Sequence, residues 1–349
     1  MTVSAIVLAA GRGTRMQSDL PKPLHRVRGR SLLAWVVHAL QDIELESTEL
    51  DSVVVVVGHG RELVMSSLDA GFDRQFLYAE QLSQRGTGDA AAVGLAELDL
   101  FDNSFSENDH VIVVPGDTPL LTSDTVAALV ASHLSSGAAA TVVSAVLEDP
   151  AGYGRILRTD KGDVAGIIEH RDASADQRSI AEINGGMYCF RRSLLAPALR
   201  LISSDNAQGE MYLTDAIGVL VEAGHPVHAF IADPVEISGV NDRSQLGFVG
   251  ERLGRRIAET HMRNGVTIEQ PSSTVIDASV IIEPDATVRA ATVLEGVTSI
   301  GAGAVVGPNS HLIDATIEPR AQVQSSVVSA ATVAADSVIE PFTHLTAAD

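Results

Sequence analysis

Residues 275–313 read VIDASVIIEPDATVRAATVLEGVTSIGAGAVVGPNSHLI. Within this stretch Ile276, Ile282, Val288, Leu294, Ile300, Val306 and Leu312 stand six residues apart without a break. Small or turn-forming residues (Gly, Ala, Ser, Asp, Pro) fill the intervals. A period of six does not fit one face of a helix with about 3.6 residues per turn, and Pro284 and Pro308 would each break a helical hydrogen bond. One aliphatic per hexad suits a parallel β-helix, whose short strands each point one side chain into the stack. The phase slips once, near Ile317 and Val323, and a second series runs Val327, Val333, Ile339 and Leu345. A short hexapeptide-repeat β-helix is therefore expected over residues 266–349.

Upstream the pattern changes. Val3 to Leu8, Val53 to Val57, Val111 to Val114 and Thr141 to Leu147 are unbroken apolar runs rich in β-branched residues. Strands that are apolar on both faces belong in a parallel sheet covered by helices. Helical patterns alternate with them at Ser31 to Asp42, Thr87 to Leu98 and Ser123 to Leu134. That alternation implies βαβ units and an open α/β sheet over residues 1–243. Between the two regions, residues 244–265 form a polar, helix-favouring connector.

The chain has 349 residues, with 24 Lys plus Arg against 45 Asp plus Glu, a formal charge of −21. So acidic a chain repels nucleic acid and anionic membrane surfaces. One cysteine, Cys189, excludes a disulfide framework and any multi-cysteine zinc site, and in its apolar setting it reads as a buried small residue. The N-terminus carries no export-type leader, and no apolar run nears the ~18 residues of a membrane span. A soluble cytoplasmic protein is expected.

Leu8-Ala-Ala-Gly-Arg-Gly-Thr-Arg-Met16 ends a buried strand in a glycine-rich loop, followed by Leu20-Pro-Lys-Pro-Leu-His25. Glycines at the carboxyl edge of such a sheet let backbone N–H groups approach a phosphate. The loop lacks the GK[ST] of a P-loop, and Met16 stands where a dinucleotide fingerprint needs its third glycine. Arg12, Arg15 and Lys22 concentrate positive charge nearby, as an acidic chain must to hold an anionic substrate. A second strand ends in Pro115-Gly-Asp-Thr-Pro119. Asp117, beside those cations, suits Mg²⁺, which takes few protein oxygens and fills its shell with water and phosphate. The other reading of Asp117 is a cap for the helix starting near Thr122, where Thr122 or Ser123 would serve as well. No HExxH, GxSxG or clustered histidine supports zinc or nucleophilic catalysis.

Taken in order, LAAGRGTRM…LPKPLH, RGTGDA (85–90), PGDTPLL (115–121), GYGRI (152–156), IIEHRDA (167–173), NGGMY (184–188), GEMYLTD (209–215) and GVNDR (239–243) resemble the bacterial bifunctional N-acetylglucosamine-1-phosphate uridylyltransferase/glucosamine-1-phosphate acetyltransferase family. The resemblance implies a Rossmann-like α/β nucleotidyltransferase domain with a mixed, mostly parallel sheet, then a left-handed β-helix through which family members form homotrimers. It implies Mg²⁺-dependent uridylyl transfer from UTP to N-acetylglucosamine 1-phosphate, giving UDP-N-acetylglucosamine for peptidoglycan synthesis and pyrophosphate. Leu8, Ala10, Gly11, Gln84, Gly86 and Thr87 would hold the uridine, with Gln81 an alternative to Gln84. Arg15 and Lys22 would contact the phosphates, and Asp117 and Asn241 would bind Mg²⁺. Gly154, Glu169 and Asn184 would contact the sugar.

The chain departs from that family at Asp89, where histidine is usual, and at Pro115, where an aromatic is common. Extra residues lie between Glu80 and Gly86, and the chain ends at Asp349, before the family's acetyl-CoA segment. Uridylyl transfer without acetyl transfer is the resulting expectation. A nucleotidyltransferase of other base or sugar specificity, such as an ADP-glucose or dTDP-glucose pyrophosphorylase, is one alternative, against which GYGRI, GEMYLTD and GVND speak. A non-catalytic nucleotide-sugar sensor is the other, against which Lys22, Asp117 and Asn241 speak.

Overall fold

The computed structural model describes residues 1–45, 48–102, 104 and 106–347. They form two units, Met1–His25 with Leu32–Arg243, and Arg26–Ser31 with Ser244–Asp349.

In the first unit the apolar runs become strands β1 (Val3–Leu8), β2 (Leu50–Val57), β3 (Leu77–Glu80), β4 (His110–Pro115) and β5 (Ala140–Val146). Strands β6 (Arg155–Arg158), β7 (Val164–Ile168), β8 (Glu182–Arg191) and β9 (Val227–Ile231) complete the sheet. The main order is β9-β5-β8-β4-β1-β2-β3, and the β6–β7 hairpin joins through β8. β1 runs parallel to both neighbours, β2 and β4, while β8 lies antiparallel between β4 and β5. The sheet is thus mixed and mostly parallel.

Alternation along the strands divides the core in two. Val3, Ala5 and Val7 face one layer with Val53, Val55 and Val57, packed by α1 (Leu32–Gln41), α2 (Arg61–Gly71) and α4 (Ser123–Ser136). Ile6, Val54, Val56, Val111 and Val113 face the other, packed by α3 (Thr87–Phe101), α6 (Arg192–Leu201) and α7 (Asp215–Glu222), while the single-turn α5 (Ala175–Arg178) lies between β7 and β8 in the chain. Both faces of the central strands are covered, which is why their sequences read as continuous apolar runs. Cys189 on β8 is fully buried, and that burial raises its thiol pKa.

The second unit is a left-handed β-helix of three parallel sheets built from short stacked strands. Ile276 sits over Leu294, Leu294 over Leu312, and Ile282 over Ile300, each pair three hexads apart. Residues with positive φ turn the corners, among them Asp285, Asn309, Asp314 and Asp336. Asp and Asn tolerate that backbone better than bulky side chains, although Ala291, Arg320, Ser325, Ala330 and Phe342 adopt it as well.

The upper coils correct the expected register. Ile317 and Val323 keep their inward places after a five-residue step from Leu312, stacking on Ile300 and Val306. Val328, not Val327, then points inward over Leu312, so the phase slips again there and before Val333. Two adjacent valines at 327 and 328 offer equal hydrophobicity, and the coil beneath selects between them.

Two short strands, Arg26–Val27 and Arg30–Ser31, form a hairpin that belongs to this second unit despite its early place in sequence. Arg28 Nε donates to the Gly250 carbonyl on α8 (Arg243–Arg263), and the Ala278 amide donates to the Arg28 carbonyl. The helix expected as a connector contributes Ala258 to the β-helix core. Among the described residues no helix is long and apolar enough to cross a membrane.

One buried polar chain in the first unit has a consequence for stability. His110 Nδ1 lies 3.0 Å from His133 Nε2, and His133 Nδ1 lies 2.9 Å from the Thr141 hydroxyl. Burial, aided by His110, Arg191 and His228, lowers the His133 pKa from 6.5 to about 3. The unfolded chain therefore binds a proton in this window that the fold refuses, so stability falls as pH drops from 6.5 toward 3. Urea midpoints should decline across that range, and His133→Gln should flatten the decline. An equally steep decline in the variant would remove His133 as its source.

Candidate active site

β1 and β4 end side by side, with the Gly116 amide donating to the Leu8 carbonyl at 2.9 Å. The loops leaving these two strands therefore start from one point on the carboxyl edge of the sheet, where open α/β sheets bind ligands. A cavity of about 440 Å³ opens there.

The glycine-rich loop forms its first wall. Leu8, Ala10 and Gly11 line the cavity, and a Cβ added to Gly11 would meet nothing within 4 Å. No protein atom needs Gly11 to be glycine, so the open space lies where a ligand can approach the backbone. Gly13 is different: its φ is +62°, and a Cβ there would collide with the Lys22 side chain. The loop is thereby laid against Lys22, which opens a 3-10 turn, Lys22–Leu24, between Pro21 and Pro23.

Lys22 holds the charged centre. Its ammonium pairs with Asp117 Oδ2 and donates to Asn241 Oδ1 at 3.0 Å. Arg15 Nη2 donates to the same Asn241 oxygen at 2.8 Å. The Val240 amide donates to the Asp117 carbonyl at 2.9 Å, tying the 239–243 segment to the loop after β4. Two cations and two oxygen donors, drawn from three separate stretches of chain, thus meet at one place.

The turn before α3 forms another wall. Gln84, Gly86 and Thr87 line the cavity, and Gln84 Nε2 donates to the Ala10 carbonyl at 2.7 Å. Gly86 has a φ of +116°, and a Cβ there would strike the Met211 backbone. The GEMYLTD stretch is stitched to this turn by Gly88 N to Met211 O at 2.8 Å and Leu213 N to Thr87 Oγ1 at 3.1 Å.

The last wall carries Glu169 and Asn184. The Asn184 amide donates to the Gly154 carbonyl at 2.9 Å, joining β8 to β6, and its side-chain Nδ2 donates to the Tyr188 hydroxyl at 2.7 Å. Thr214 Oγ1 donates to Glu169 Oε1 at 3.2 Å. Burial raises the Glu169 pKa, and Asp215, Asp172 and Glu210 raise it further, against that one hydrogen bond.

All thirteen residues expected at the site thus fall around this cavity. Ten line it, while Arg15 and Asn241 flank Lys22 and Gly154 backs Asn184. Gln81, Tyr188, Glu210 and Thr214 also line it. Gln81 stood only as an alternative. The other three lie inside motifs already noted, NGGMY and GEMYLTD, but nothing local in sequence marks them as facing the same space as Glu169.

A glycine-rich loop at the end of β1, cations beside it and an acidic residue after a neighbouring parallel strand define a nucleotidyltransferase site. Residues 5–217 match the MobA-like NTP transferase domain. The chain is also 43% identical to the bifunctional protein GlmU of Corynebacterium efficiens over 346 residues, 98% of this chain and 69% of that protein. It is 43% identical to that of Caldanaerobacter subterraneus subsp. tengcongensis, over 98% of this chain and 71% of the relative. For that of Streptomyces avermitilis the identity is 44%, over 98% and 69%. The chain belongs to the GlmU family.

Glu169 gives a stability signature. Its folded pKa lies above the ordinary 4.5, so the stabilising form is the neutral one. That contribution is present below 4.5 and is lost as pH rises through the folded value. Glu169→Gln, neutral throughout, should melt higher than the parent at about pH 8 and lose that advantage near pH 4. A melting difference independent of pH would contradict the assignment.

Proposed function

We propose that this chain transfers a uridylyl group from UTP to N-acetylglucosamine 1-phosphate, releasing pyrophosphate and UDP-N-acetylglucosamine for cell-wall synthesis in the cytoplasm. The observation that carries the reading is the Lys22–Asp117–Asn241–Arg15 cluster at the mouth of the β1 loop.

The chemistry is attack by a phosphate oxygen of the sugar phosphate on the α-phosphorus of UTP. A bond forms to that oxygen and the bond to the β-phosphate oxygen breaks, with pyrophosphate leaving. The nucleophile is already largely ionised at neutral pH, because a phosphate monoester's second pKa is about 6. No side chain need remove a proton. What the reaction requires is that two polyanions be brought together in line. Lys22 and Arg15 offset their charge, and the open backbone at Gly11 leaves room for the triphosphate. Glu169 and Asn184 line the same cavity, where a sugar's hydroxyl and amide groups would meet a carboxyl and a carboxamide.

Asp117 and Asn241 fit Mg²⁺. Both present oxygen donors that converge on a single cationic group, the Lys22 ammonium, so the protein already holds positive charge between them. Among the described residues no three His, Cys, Asp or Glu come together as a metal site, so the rest of the shell would be water and phosphate, as Mg²⁺ prefers. When bound, the ion supplies charge neutralisation and Lewis acidity at the reacting phosphates. By the same family kinship, the β-helix is expected to assemble as a homotrimer, which light scattering on the purified chain tests directly.

Pyrophosphate release from UTP and N-acetylglucosamine 1-phosphate should require Mg²⁺ and cease on chelation. Release from another nucleotide and sugar phosphate instead would transfer the reading to a different specificity. Tight binding of UDP-N-acetylglucosamine without turnover would point to a sensor. Lys22→Ala should lower kcat/KM by the equivalent of ~2–4 kcal/mol, the loss of one preorganised electrostatic contact. Asp117→Ala should abolish most turnover, and near-normal kcat at moderate Mg²⁺ would refute its role.

A further inference from the structure

Behind the turn that precedes α3 lies a buried polar cluster in which Gln81 has a part only as the alternative to Gln84 at the base, and Asp89 has none. Gln81 follows β3 and is only 6% exposed, yet it lines the cavity. Asp89, 4% exposed, sits in the first turn of α3. Gln81 Nε2 donates to Asp89 Oδ2 at 2.8 Å and to the Gly86 carbonyl at 3.1 Å. The other Asp89 oxygen, Oδ1, accepts from Arg85 Nη2 at 2.6 Å.

The chemistry of these partners fixes the orientation of the Gln81 amide. A carboxylate and a backbone carbonyl can only accept, so the side facing them must be the NH₂ group, and both its hydrogens are used. Turning the amide over would set its oxygen against two acceptors. That leaves the carbonyl oxygen as the remaining polar atom of an amide whose residue lines the cavity. Arg85 anchors the opposite edge of the carboxylate, so Asp89 cannot swing away without losing an ion pair.

We propose that Asp89 is a positioning residue for base selection: held by Arg85, it locks Gln81 so that the cavity wall presents a hydrogen-bond acceptor to the base. This deepens the uridylyl reading and rests on it. A fixed acceptor matches a base whose ring nitrogen carries a hydrogen, as uracil does at N3. Cytosine has a lone pair at that position, and two acceptors would then face each other unpaired. Discrimination built on a buried polar group left unpaired is stronger than discrimination by shape alone.

The test is a double-mutant cycle on the full chain, measuring kcat/KM for UTP and CTP with N-acetylglucosamine 1-phosphate as acceptor. Asp89→Asn puts an NH₂ group against Gln81 or Arg85, both donors, and should lower the UTP:CTP ratio by about tenfold, the worth of one hydrogen bond. The change should fall on the nucleotide KM and leave the sugar phosphate KM alone. Gln81→Met should lower the ratio equally, and the double variant no further, because Asp89 acts through Gln81. Arg85→Ala, at a well-exposed side chain, should shift the ratio the same way by a smaller factor.

An unchanged ratio in Asp89→Asn, or losses from the two single variants that multiply in the double, would overturn the proposal. Should Asp89→Asn fail to fold, an unchanged ratio in Arg85→Ala decides against it. A parent that uses no UTP would refute the uridylyl reading instead. The cycle then runs on GTP, which carries a ring N–H, against ATP, which does not, and no change there overturns the Asp89 proposal separately.

Discussion

The Lys22 ammonium, shared between Asp117 and Asn241, is the contact on which the site depends. Its partners lie 95 and 219 residues away in sequence. Each arrives on a different loop, and without the cation an acidic carboxyl and a carboxamide oxygen would face each other at the mouth of the cavity. In a chain of net charge −21, local positive charge has to be assembled by the fold. Both side chains are partly shielded, so their attraction acts at a dielectric well below that of water while substrate can still reach them.

That contact depends in turn on β1 lying between β2 and β4. A strand apolar on both faces has no place at a sheet edge, so it is driven to the centre, and parallel neighbours then bring their carboxyl ends to the same side. The antiparallel β8 adds what a purely parallel sheet would lack. It returns past β4 and carries Asn184 to the cavity, while the β6–β7 hairpin hung on it brings Gly154 and Glu169. One wall of the cavity is thus built by parallel strands and their loops, and the other by an antiparallel extension.

The β-helix works by a different rule. Each coil buries a few aliphatics and turns its corners with residues that accept positive φ, so most of its information is local. Buried Thr292 and Thr298 keep their hydroxyls satisfied on the carbonyls of Arg289 and Glu295 at the corners, which is why polar residues are tolerated inside. Where two aliphatics stand side by side, as at Val327 and Val328, only stacking on Leu312 settles which one points in.

Residues close in sequence carry the hexad period, the doubly apolar strands and the loops that end β1 and β4, because these are preferences of a few successive backbones and side chains. They suffice to expect an α/β sheet followed by a β-helix, while most of the residues expected around the cavity came from the resemblance of the motifs to a known family. Tertiary structure alone assigned the Arg26–Ser31 hairpin to the second unit, made Thr214 and Tyr188 the partners of Glu169 and Asn184, and turned the Gln81 amide with Asp89. Each of those outcomes is a pairing of groups whose donors and acceptors are individually ordinary. A hydrogen bond between distant segments leaves no periodic trace in the chain, and its geometry exists only after the sheet has brought the segments together.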